Sequence, residues 1–479
     1  MPPELRGSGP IHDSRFTYGP ANIVANFNDL HITEARAIST HLPRELRPEG
    51  DPRAVQEIVT AIETAGGQIP FSEYMRLALY GRGGYYADGK VAFQQNGSGM
   101  GDFETAPEKS FDFSRALVVG VCALWDATGK KPFNLVEVGG GSGRMAKDML
   151  STFRNEQSEA YSNLEYFIND FDGMKPRQQE TIGSSQGAHV GSYALTSGEE
   201  GHAQDLAKVT WLDAASETAL QELDNGRPTI VVANEVPDAA PADIVSNVDG
   251  VLRQKMVAFD GTYFTEQWGE LTPEVQDYIE RYGVAVPVGQ ETAISVEALA
   301  LQQKITHTPG FAAFINIDYG QFGPAFYDTE PWQPAPVSIS GASGRPHGQW
   351  WTEAPLRTYP RGFHPLQMAG ELDITYNPDF NAHRQAAEEE QLRTVFAGTQ
   401  ESFIEVCGMP NSRTMFAIRE EIDSFFSEAS KRRIDRAREL FADRFQVLVV
   451  TNLTGVDFET PKPLLSGYDE LVKLVGHRS

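Results

Sequence analysis

The stretch from Phe133 to Leu150, FNLVEVGGGSGRMAKDML, constrains the fold more than any other part of the chain. A short apolar segment is followed by a cluster of glycines and then by a helical pattern. A strand that enters a helix through a glycine turn is typical of an open α/β sheet, and such sheets bind ligands at the carboxyl ends of their strands. The motif therefore predicts an α/β fold with a ligand against Gly139, Gly141 and Gly143.

Short apolar strands recur along the chain and alternate with helical or loop stretches. The predicted strands cover residues 133–138, 164–170, 207–213, 229–234, 311–318, 392–399 and 444–451. This alternation favours a parallel sheet with helices on both faces. Helices are predicted near 51–65, from Ser72 to the glycines at 81–84, and over 111–128.

Two spans interrupt the alternation. Residues 240–305 contain the helical patterns LTPEVQDYIERYG and TAISVEALALQQKI, and residues 321–365 are rich in Pro, Gly and Ser and are predicted to be a long loop. Loops of that length are usually functional or mobile. The predicted organisation is an N-terminal extension (1–64), a helical cap region (65–131), a core (132–455) with insertions at about 240–305 and 321–390, and a C-terminal tail (456–479).

The chain has 479 residues and a formal net charge of −26. A surface this acidic repels nucleic acid and anionic membranes, so neither is predicted as a partner, although solubility alone also accounts for such a charge. Two cysteines, Cys122 and Cys407, give no disulfide framework and fit a reducing compartment. The histidines lack metal-ligand spacing, and no apolar span or targeting segment stands out. We expect no metal, no membrane span and a cytoplasmic location.

The glycine loop alone leaves several ligands open. The dinucleotide pattern G-x-G-x-x-G is nearly matched but has Arg144 at its last position, and the phosphate loop G-x-x-x-x-G-K-[ST] is absent. Glu137 precedes the glycines and Asp170 ends the next predicted strand, where a carboxylate can accept both ribose hydroxyls. This arrangement favours S-adenosylmethionine over NAD or FAD, and a purely structural glycine turn is the third interpretation.

Further motifs follow one another in a fixed order over roughly residues 65–450. They are GGQIPFSEYMRLALYGRGGYY, GDFETAPEKS (101–110), VEVGGGSG, MKPRQQETIG (174–183), VVANEVPDAAP (231–241), INIDYG (315–320) and PLRTYPRGF…GELDITYNPDF (355–380). Together they resemble the MidA-like family of S-adenosylmethionine-dependent methyltransferases, which includes the mitochondrial complex I assembly-factor arginine methyltransferase. The resemblance implies a class I methyltransferase fold: a seven-strand, mostly parallel sheet with one antiparallel strand in its last pair.

The chain departs from the family pattern around the expected ligand site. The usual loop E-[LV]-G-P-G-R-G-T has Gly140, Ser142 and Arg144 in place of its proline, arginine and threonine. Glu104 and Lys109 stand where apolar residues are usual. The N-terminal 64 residues and the SISGASGRPHGQWW segment look additional. These changes are compatible with a different substrate.

Several residues are predicted to hold the cofactor. Gly139, Gly141 and Gly143 would let its methionine part lie against the turn, and Glu137 would hold the loop or the cofactor's amino group. Either Asp170 or Asp172 would bind ribose, unless the acid serves only a solvated turn.

Three further cofactor contacts are less firmly assigned. Asp213, or Trp211 beside it by stacking, would contact adenine. Asp102 and Thr105 lie on a loop that the family places near the cofactor, although an Asx-type turn is the alternative.

The segment ANEVPDAAP, at the end of the fourth strand, occupies the usual catalytic position of this fold. It carries Asn234, Glu235 and Asp238. A guanidinium acceptor needs carboxylates to orient its planar fork and help its proton leave. Glu235 is therefore the leading catalytic candidate and Asp238 the second, with helix capping as the alternative role of Asp238.

The predicted reaction is direct methyl transfer from S-adenosylmethionine, with positioning and water exclusion as the enzyme's task. By resemblance, the favoured acceptor is an arginine side chain of a protein or peptide. The alternatives are a small molecule or modified peptide of a specialised pathway, a non-catalytic S-adenosylmethionine-binding assembly partner, and an NAD-dependent enzyme. A homodimer is compatible with the sequence, which does not fix the oligomeric state.

Overall fold

The computed structural model describes residues 50–91, 104–184, 199–328, 356–359, 365–366, 368–422 and 445–465, with a few positions near the last two helices. These further positions are 431, 434–435, 437–438, 440, 468 and 472–473. Asp102 and the segment containing His347, Trp350 and Trp351 lie outside the described residues.

The described elements form an α/β molecule. The strands are β1 (Gln68–Pro70), β2 (Phe133–Val138), β3 (Leu164–Asp170), β4 (Val209–Asp213), β5 (Thr229–Asn234), β6 (Asp243–Val248), β7 (Val251–Phe259), β8 (Phe264–Gly269), β9 (Gln290–Ile294), β10 (Phe311–Tyr319), β11 (Tyr327–Asp328), β12 (Leu356–Tyr359), β13 (Asp373–Tyr376), β14 (Arg393–Thr399) and β15 (Phe445–Thr451). The helices are α1 (Pro52–Thr64), α2 (Phe71–Tyr80), α3 (Ala106–Lys109), α4 (Phe111–Ala127), α5 (Arg144–Glu156), α6 (Ser158–Asn163), α7 (Lys175–Gly183), α8 (Glu199–Ala207), α9 (Pro273–Tyr282), α10 (Val296–Thr306), α11 (Phe380–Glu389), α12 (Gln400–Val406) and α13 (Ser412–Ile422).

The central sheet has seven strands in the order β14-β15-β10-β5-β2-β3-β4. The pairs of β10, β5, β2, β3 and β4 are parallel, and β15 is antiparallel to both of its neighbours. The predicted seven-strand class I methyltransferase architecture, with one antiparallel strand in the last pair, is confirmed.

Helices cover both faces of this sheet, and alternate strand residues point to opposite faces. Leu135 and Ile230 pack into the core on the side of α4 and α5, whereas their neighbours Val136 and Val231 pack into a second core with Phe380 of α11. Because all residues of β2 and β5 are buried, these two strands form the rigid centre beside which the glycine turn is placed.

A second sheet, with the order β1-β7-β6-β9-β11 and β8 paired to β7, was not predicted. It is built mainly from the insertion at 240–305, where the sequence predicts two helices and no strands. The predicted helices correspond to α9 and α10, but residues 292–294 belong to β9. Strands such as FTEQWG in β8 are largely exposed and polar, so they carry no apolar run from which to predict them.

The N-terminal and C-terminal segments pack onto the rest of the molecule. Asp51 caps α1 by accepting a hydrogen bond from the Arg53 backbone N–H at 2.8 Å, and Ile58 and Ile62 share a core with Ile69 of β1. This packing runs across the predicted boundary at residue 64. Near the C-terminus, buried Tyr468 donates a hydrogen bond to Asp112 Oδ2 at 2.9 Å.

Within the described part of the chain, no helix has both the length and the apolar character needed to cross a membrane.

Candidate functional site

A cavity of about 610 Å³ lies at the carboxyl ends of β2, β3 and β5. Its walls also include residues of α2 and one face of α10. The predicted residues that line it are Thr105, Glu137, Gly139, Gly141, Asp170, Asn234 and Glu235. The site therefore lies where the order of the sheet reverses between β2 and β5, as expected for an open α/β sheet.

The glycine turn needs its glycines for two physical reasons. Gly139, Gly141 and Gly143 have φ of 70°, 52° and 82°, a region that residues with a Cβ rarely adopt. A Cβ on Gly139 would also lie 2.6 Å from Val236 Cγ2, and one on Gly143 would lie 2.9 Å from Gln178 Cα. Glycine therefore allows both the turn and the close packing around it.

Asp170 accepts three hydrogen bonds, one of which holds the glycine turn. Its Oδ2 accepts from the Gly141 N–H at 3.0 Å and from Gln178 Nε2 at 2.7 Å, and its Oδ1 accepts from the Phe171 N–H at 2.8 Å. Burial raises the pKa of its carboxyl group to about 6, although these donors oppose the shift. Asp172 is exposed and does not line the cavity, so the geometry favours Asp170 of the two predicted ribose-binding acids.

Glu137 is 1% exposed and accepts a hydrogen bond from the Tyr166 hydroxyl at 2.6 Å. Burial, opposed by the Tyr166 hydrogen bond and aided by the charge of the nearby Asp170, raises the pKa of Glu137 to about 8. A buried acid that is protonated near neutral pH would gain from a cationic partner in the cavity. Glu137 is therefore suited to an ammonium group of a ligand.

Two residues that depart from the family pattern, Ser142 and Arg144, have buried side-chain partners. The Ser142 hydroxyl donates a hydrogen bond to the Glu108 carboxylate, which ties the glycine turn to α3. Thr105, at the start of α3, lines the cavity. Arg144 Nε donates to Asp148 Oδ2 at 2.9 Å in a buried ion pair within α5. The unusual loop residues are thus held by partners in the same part of the chain.

The structure does not place Asp213 or Trp211 in the cavity lining, so their predicted contact with adenine has no support in the geometry. Asp213 Oδ1 accepts from the Ala215 N–H at 3.0 Å and stabilises the turn after β4. Trp211 Nε1 donates to Gln178 Oε1 at 2.9 Å. The cavity wall next to β4 is instead formed by the following residues, which include Ala214, Ser216 and Leu220.

Asn234 and Glu235 meet at the end of β5. Glu235 has φ of 56°, an uncommon conformation for a residue with a side chain, and conformations of this kind cluster at functional sites. Its Oε1 accepts from the Ala106 N–H at 2.9 Å and from Asn234 Nδ2 at 3.1 Å. Asn234 is 8% exposed, and its Oδ1 has no hydrogen-bond partner among the described residues. The cavity therefore contains a buried acceptor that a ligand donor could satisfy.

Asp238, the second catalytic candidate, does not line the cavity. It is 6% exposed and lies in a short 3₁₀ turn, where its backbone N–H donates to Asp318 Oδ2 at 2.8 Å. Burial and the charge of Asp238 hold the pKa of Asp318 well above its usual range. Asp238 thus lies in the turn that follows Glu235, and its catalytic role stays a prediction.

An aromatic wall, formed by Tyr80, Tyr86 and Phe171, is part of the cavity that sequence reasoning missed. The Tyr80 ring stacks on Tyr86 at 5.6 Å and on Phe171 at 5.4 Å between centroids. The hydroxyls are fixed, since Tyr80 donates to Ala239 O at 2.9 Å and Tyr86 to Asp373 Oδ1 at 2.8 Å. The tyrosines of the YMRLALYGRGGYY motif were the signal that could have indicated this wall.

Comparison with known proteins decides the family. Residues 116–397 match the Methyltransf_28 model of S-adenosyl-L-methionine-dependent methyltransferases. The chain belongs to this family. The MidA-like resemblance is thereby confirmed, and the chain is a methyltransferase.

The printed names of two curated relatives contain the words "protein arginine methyltransferase". The Drosophila melanogaster "Protein arginine methyltransferase NDUFAF7 homolog, mitochondrial" is 27% identical over 193 residues, which are 40% of this chain and 41% of the fly protein. The Mus musculus NDUFAF7 protein is 38% identical over 89 residues, 18% of this chain and 19% of the mouse protein. The chain thus matches less than half the length of either relative.

A crystal structure resembles almost the whole methyltransferase. It is that of a COG1565 superfamily member from Burkholderia thailandensis bound to S-adenosyl-homocysteine, with a TM-score of 0.62 and 24% identity. The likeness covers 88% of this chain and 97% of that protein. At 24% identity, this structural likeness supports the fold of the chain.

The cavity of this methyltransferase fits S-adenosylmethionine. The glycine turn keeps the cavity floor free of side chains, Asp170 presents a carboxyl group at the end of β3, and Glu137 is a buried acid. These are suitable partners for the cofactor's ribose hydroxyls and ammonium group. Within the described ranges, no group of three or more His, Cys, Asp or Glu side chains is arranged to hold a metal ion.

Proposed function

We propose that this methyltransferase modifies an arginine side chain of a protein or peptide. The observation that carries the proposal is the pair of acceptors at the end of β5: the unpartnered, buried Oδ1 of Asn234 and the carboxylate of Glu235. A guanidinium group offers five N–H donors in a planar fork and a delocalised positive charge. The two adjacent acceptors match that chemistry.

Each residue has a distinct task in this proposal. Asn234 Oδ1 accepts an N–H of the acceptor and fixes the plane of the guanidinium group. The negative charge of Glu235 attracts the guanidinium, polarises it toward a localised lone pair and stabilises the proton that must leave. The aromatic wall of Tyr80, Tyr86 and Phe171 gives the cavity an apolar side that excludes water. When bound, S-adenosylmethionine supplies a methyl group activated by its sulfonium.

The relatives support the arginine acceptor at a distance. The fly and mouse proteins carry "protein arginine methyltransferase" in their names, at 27% and 38% identity over part of the chain. The S-adenosyl-homocysteine of the Burkholderia thailandensis protein supports the same ligand class for the cavity. The cytoplasmic location and the homodimer stay predictions, and the names of the fly and mouse relatives include "mitochondrial".

The test is methyl transfer from radiolabelled S-adenosylmethionine into lysate of the native host, with the wild type and Glu235→Gln compared. Glutamine keeps the shape of the side chain and can still accept from the Ala106 N–H, but it removes the charge. We expect label on arginine in a protein or peptide band and a loss of about 10²–10³-fold in the variant, with S-adenosylmethionine affinity retained in calorimetry. Glu63→Gln, an exposed carboxylate on α1 outside the cavity, is the matched control.

Three results would contradict the proposal. Label confined to small molecules would replace it with a methyltransferase of a specialised pathway. Label on a protein residue other than arginine would keep the enzyme and discard the guanidinium acceptor. Full activity in Glu235→Gln would remove Glu235 from its proposed role.

A further inference from the structure

A second concave surface, which we call the entry groove, opens beside the methyl-transfer cavity. It has a volume of about 1300 Å³ and lies between α1, α2 and β1 on one side and the starts of β6, α9 and α10 on the other. Arg76, Pro241 and Glu297 line both the groove and the cavity. The two spaces are therefore neighbours that meet at these three residues, which form the junction.

The groove is larger than a typical site for a small ligand. Pockets for small molecules usually measure about 300–1,000 Å³. The cavity of about 610 Å³ falls in that range, whereas the groove of about 1300 Å³ exceeds it. A groove of this size that leads to a small cavity suits an extended chain segment that delivers one side chain to the reaction site.

The charges of the groove favour a basic segment. The guanidinium groups of Arg53 and Arg76 are neutralised, by Asp51 at 2.7 Å and by Glu73 at 2.8 Å. Four other carboxylates of the groove make no ion pair with any described residue: Glu57, Asp243, Glu274 and Glu297. Among the arginines of the groove, only Arg82 lacks a carboxylate partner within the described part of the chain. The groove thus has an excess of negative charge.

Glu297 lies at the junction, where an acceptor side chain would pass from the entry groove into the cavity. It lies in the first turn of α10, and the residues that line the cavity from this helix, Glu297, Ala300, Leu301 and Lys304, follow helical spacing along one face. Glu297 is exposed at the groove surface; partial desolvation of its carboxyl group raises its pKa, the nearby carboxylates of Glu73 and Asp243 act in the same direction, and Arg76 lowers it. An incoming cation would relieve this repulsion between carboxylates.

We propose that the entry groove binds a basic, extended segment of the acceptor protein or peptide, with Glu297 as the specificity residue at the junction. This inference rests on the proposed arginine methylation. Glu274, in the first turn of α9, contributes to the same surface. The substrate class is therefore an arginine within a basic stretch of chain, rather than free arginine or a neutral peptide.

The experiment measures peptide binding by fluorescence anisotropy in the presence of S-adenosyl-homocysteine. The probes are a labelled peptide of alternating glycine and arginine and the same peptide with citrulline in place of arginine. We expect the wild type to prefer the arginine peptide, and Glu297→Gln to weaken its binding about three- to tenfold. Glu274→Gln should show a smaller effect, and Glu63→Gln, with the same charge change outside the groove, should show none.

Folding and cofactor binding are monitored in parallel. The affinity for S-adenosyl-homocysteine and the melting temperature of Glu297→Gln should match those of Glu63→Gln. Equal peptide binding by Glu297→Gln and the control would overturn the proposal, as would equal affinity of the wild type for both peptides. A change in the melting temperature alone would also overturn it, because Glu297 would then only stabilise the N-terminus of α10 through the helix dipole.

The failure of this inference can be told apart from the failure of the proposed function. Arginine methylation in lysate that is lost in Glu235→Gln but unchanged in Glu297→Gln would keep the function and discard the groove. Absence of arginine methylation in the wild type would discard the function, whichever peptide binds.

Discussion

At the scale of single residues, Glu137 links the cofactor site to pH. Its pKa is raised to about 8 by burial, compared with an ordinary value of 4.5. Between these values the folded protein holds a proton that the unfolded chain has lost, so the stability of the ligand-free protein falls as pH rises from about 5 to 8. Asp170, with its pKa raised to about 6, contributes in the same direction over the lower part of this range.

We therefore predict that Glu137→Gln flattens the decline of the melting temperature between pH 5 and 8, because glutamine cannot ionise. The affinity of the wild type for S-adenosyl-homocysteine should rise with pH over the same range, since binding of its ammonium group favours the ionised carboxyl group. The variant should lose this rise and bind more weakly. Scanning fluorimetry and calorimetry over the pH range measure both effects. A decline equally steep in the variant would assign the pH dependence to other groups.

The candidate residues show where sequence reasoning succeeds and where it stops. Glu137, Asp170, Asn234 and Glu235 follow from their places at the ends of predicted strands, because parallel strands bring those ends to one edge. The direction of a side chain beyond a strand end depends on the turn that follows. For this reason the sequence predicts that Asp213 contacts adenine, whereas in the structure its carboxylate accepts a hydrogen bond from the Ala215 N–H.

At the scale of elements, the glycine turn combines a backbone conformation with close packing. Gly143 and Gly129 both have positive φ, 82° and 76°, but only Gly143 has backbone atoms within reach of an added Cβ. Its neighbour Gln178 also donates to Asp170 Oδ2 at 2.7 Å, so a shift of Gln178 would disturb the cofactor site.

Substitution by alanine separates the two effects. We expect Gly129→Ala to cost about 1–2 kcal/mol, the penalty for a side chain in the left-handed region. Gly143→Ala should cost about 1–3 kcal/mol more, because its Cβ would overlap Gln178 Cα. Only Gly143→Ala should weaken binding of S-adenosyl-homocysteine. Urea unfolding and calorimetry provide the measurements, and equal losses in the two variants would exclude a role for the packing against Gln178.

The two sheets also differ in how far sequence alone predicts them. The strands of the central sheet follow to within two residues from short apolar runs, because all but the edge strands β4 and β14 are largely buried on both faces. In the second sheet, β7 and β8 carry polar or charged residues on their more exposed face. Neither a continuous apolar run nor a clear alternation of apolar and polar residues therefore predicts these strands. Its pairing of β1 with β7 joins segments that are distant in sequence, which local patterns cannot indicate.

At the scale of the whole molecule, the second sheet and α1 complete the site that the central sheet begins. The same apolar core contains Ile58 of α1, Tyr74 of α2 and Val257 of β7, and α2 also carries Tyr80 into the cavity. The central sheet offers the cofactor site and, after β3, Phe171 of the aromatic wall. The second sheet and the helices beside it contribute Tyr80, the junction and the entry groove. The surface that we propose for acceptor binding thus combines the insertion with the N-terminal elements α1, α2 and β1.

The net charge of −26 gives a last prediction at this scale. A basic acceptor is attracted by the whole acidic surface as well as by the groove, and salt screens this attraction because the Debye length falls to a few ångströms near 1 M. We expect kcat/KM for a basic peptide acceptor to fall several-fold between 50 and 500 mM NaCl. The affinity for S-adenosyl-homocysteine, which carries no net charge, should change less than about twofold.

A peptide with its flanking lysines and arginines replaced by glutamine is the matched control, and its kcat/KM should depend weakly on salt. Equal salt dependence of the two peptides would show that the flanking charges are not recognised, and would leave the acceptor's specificity to the cavity alone.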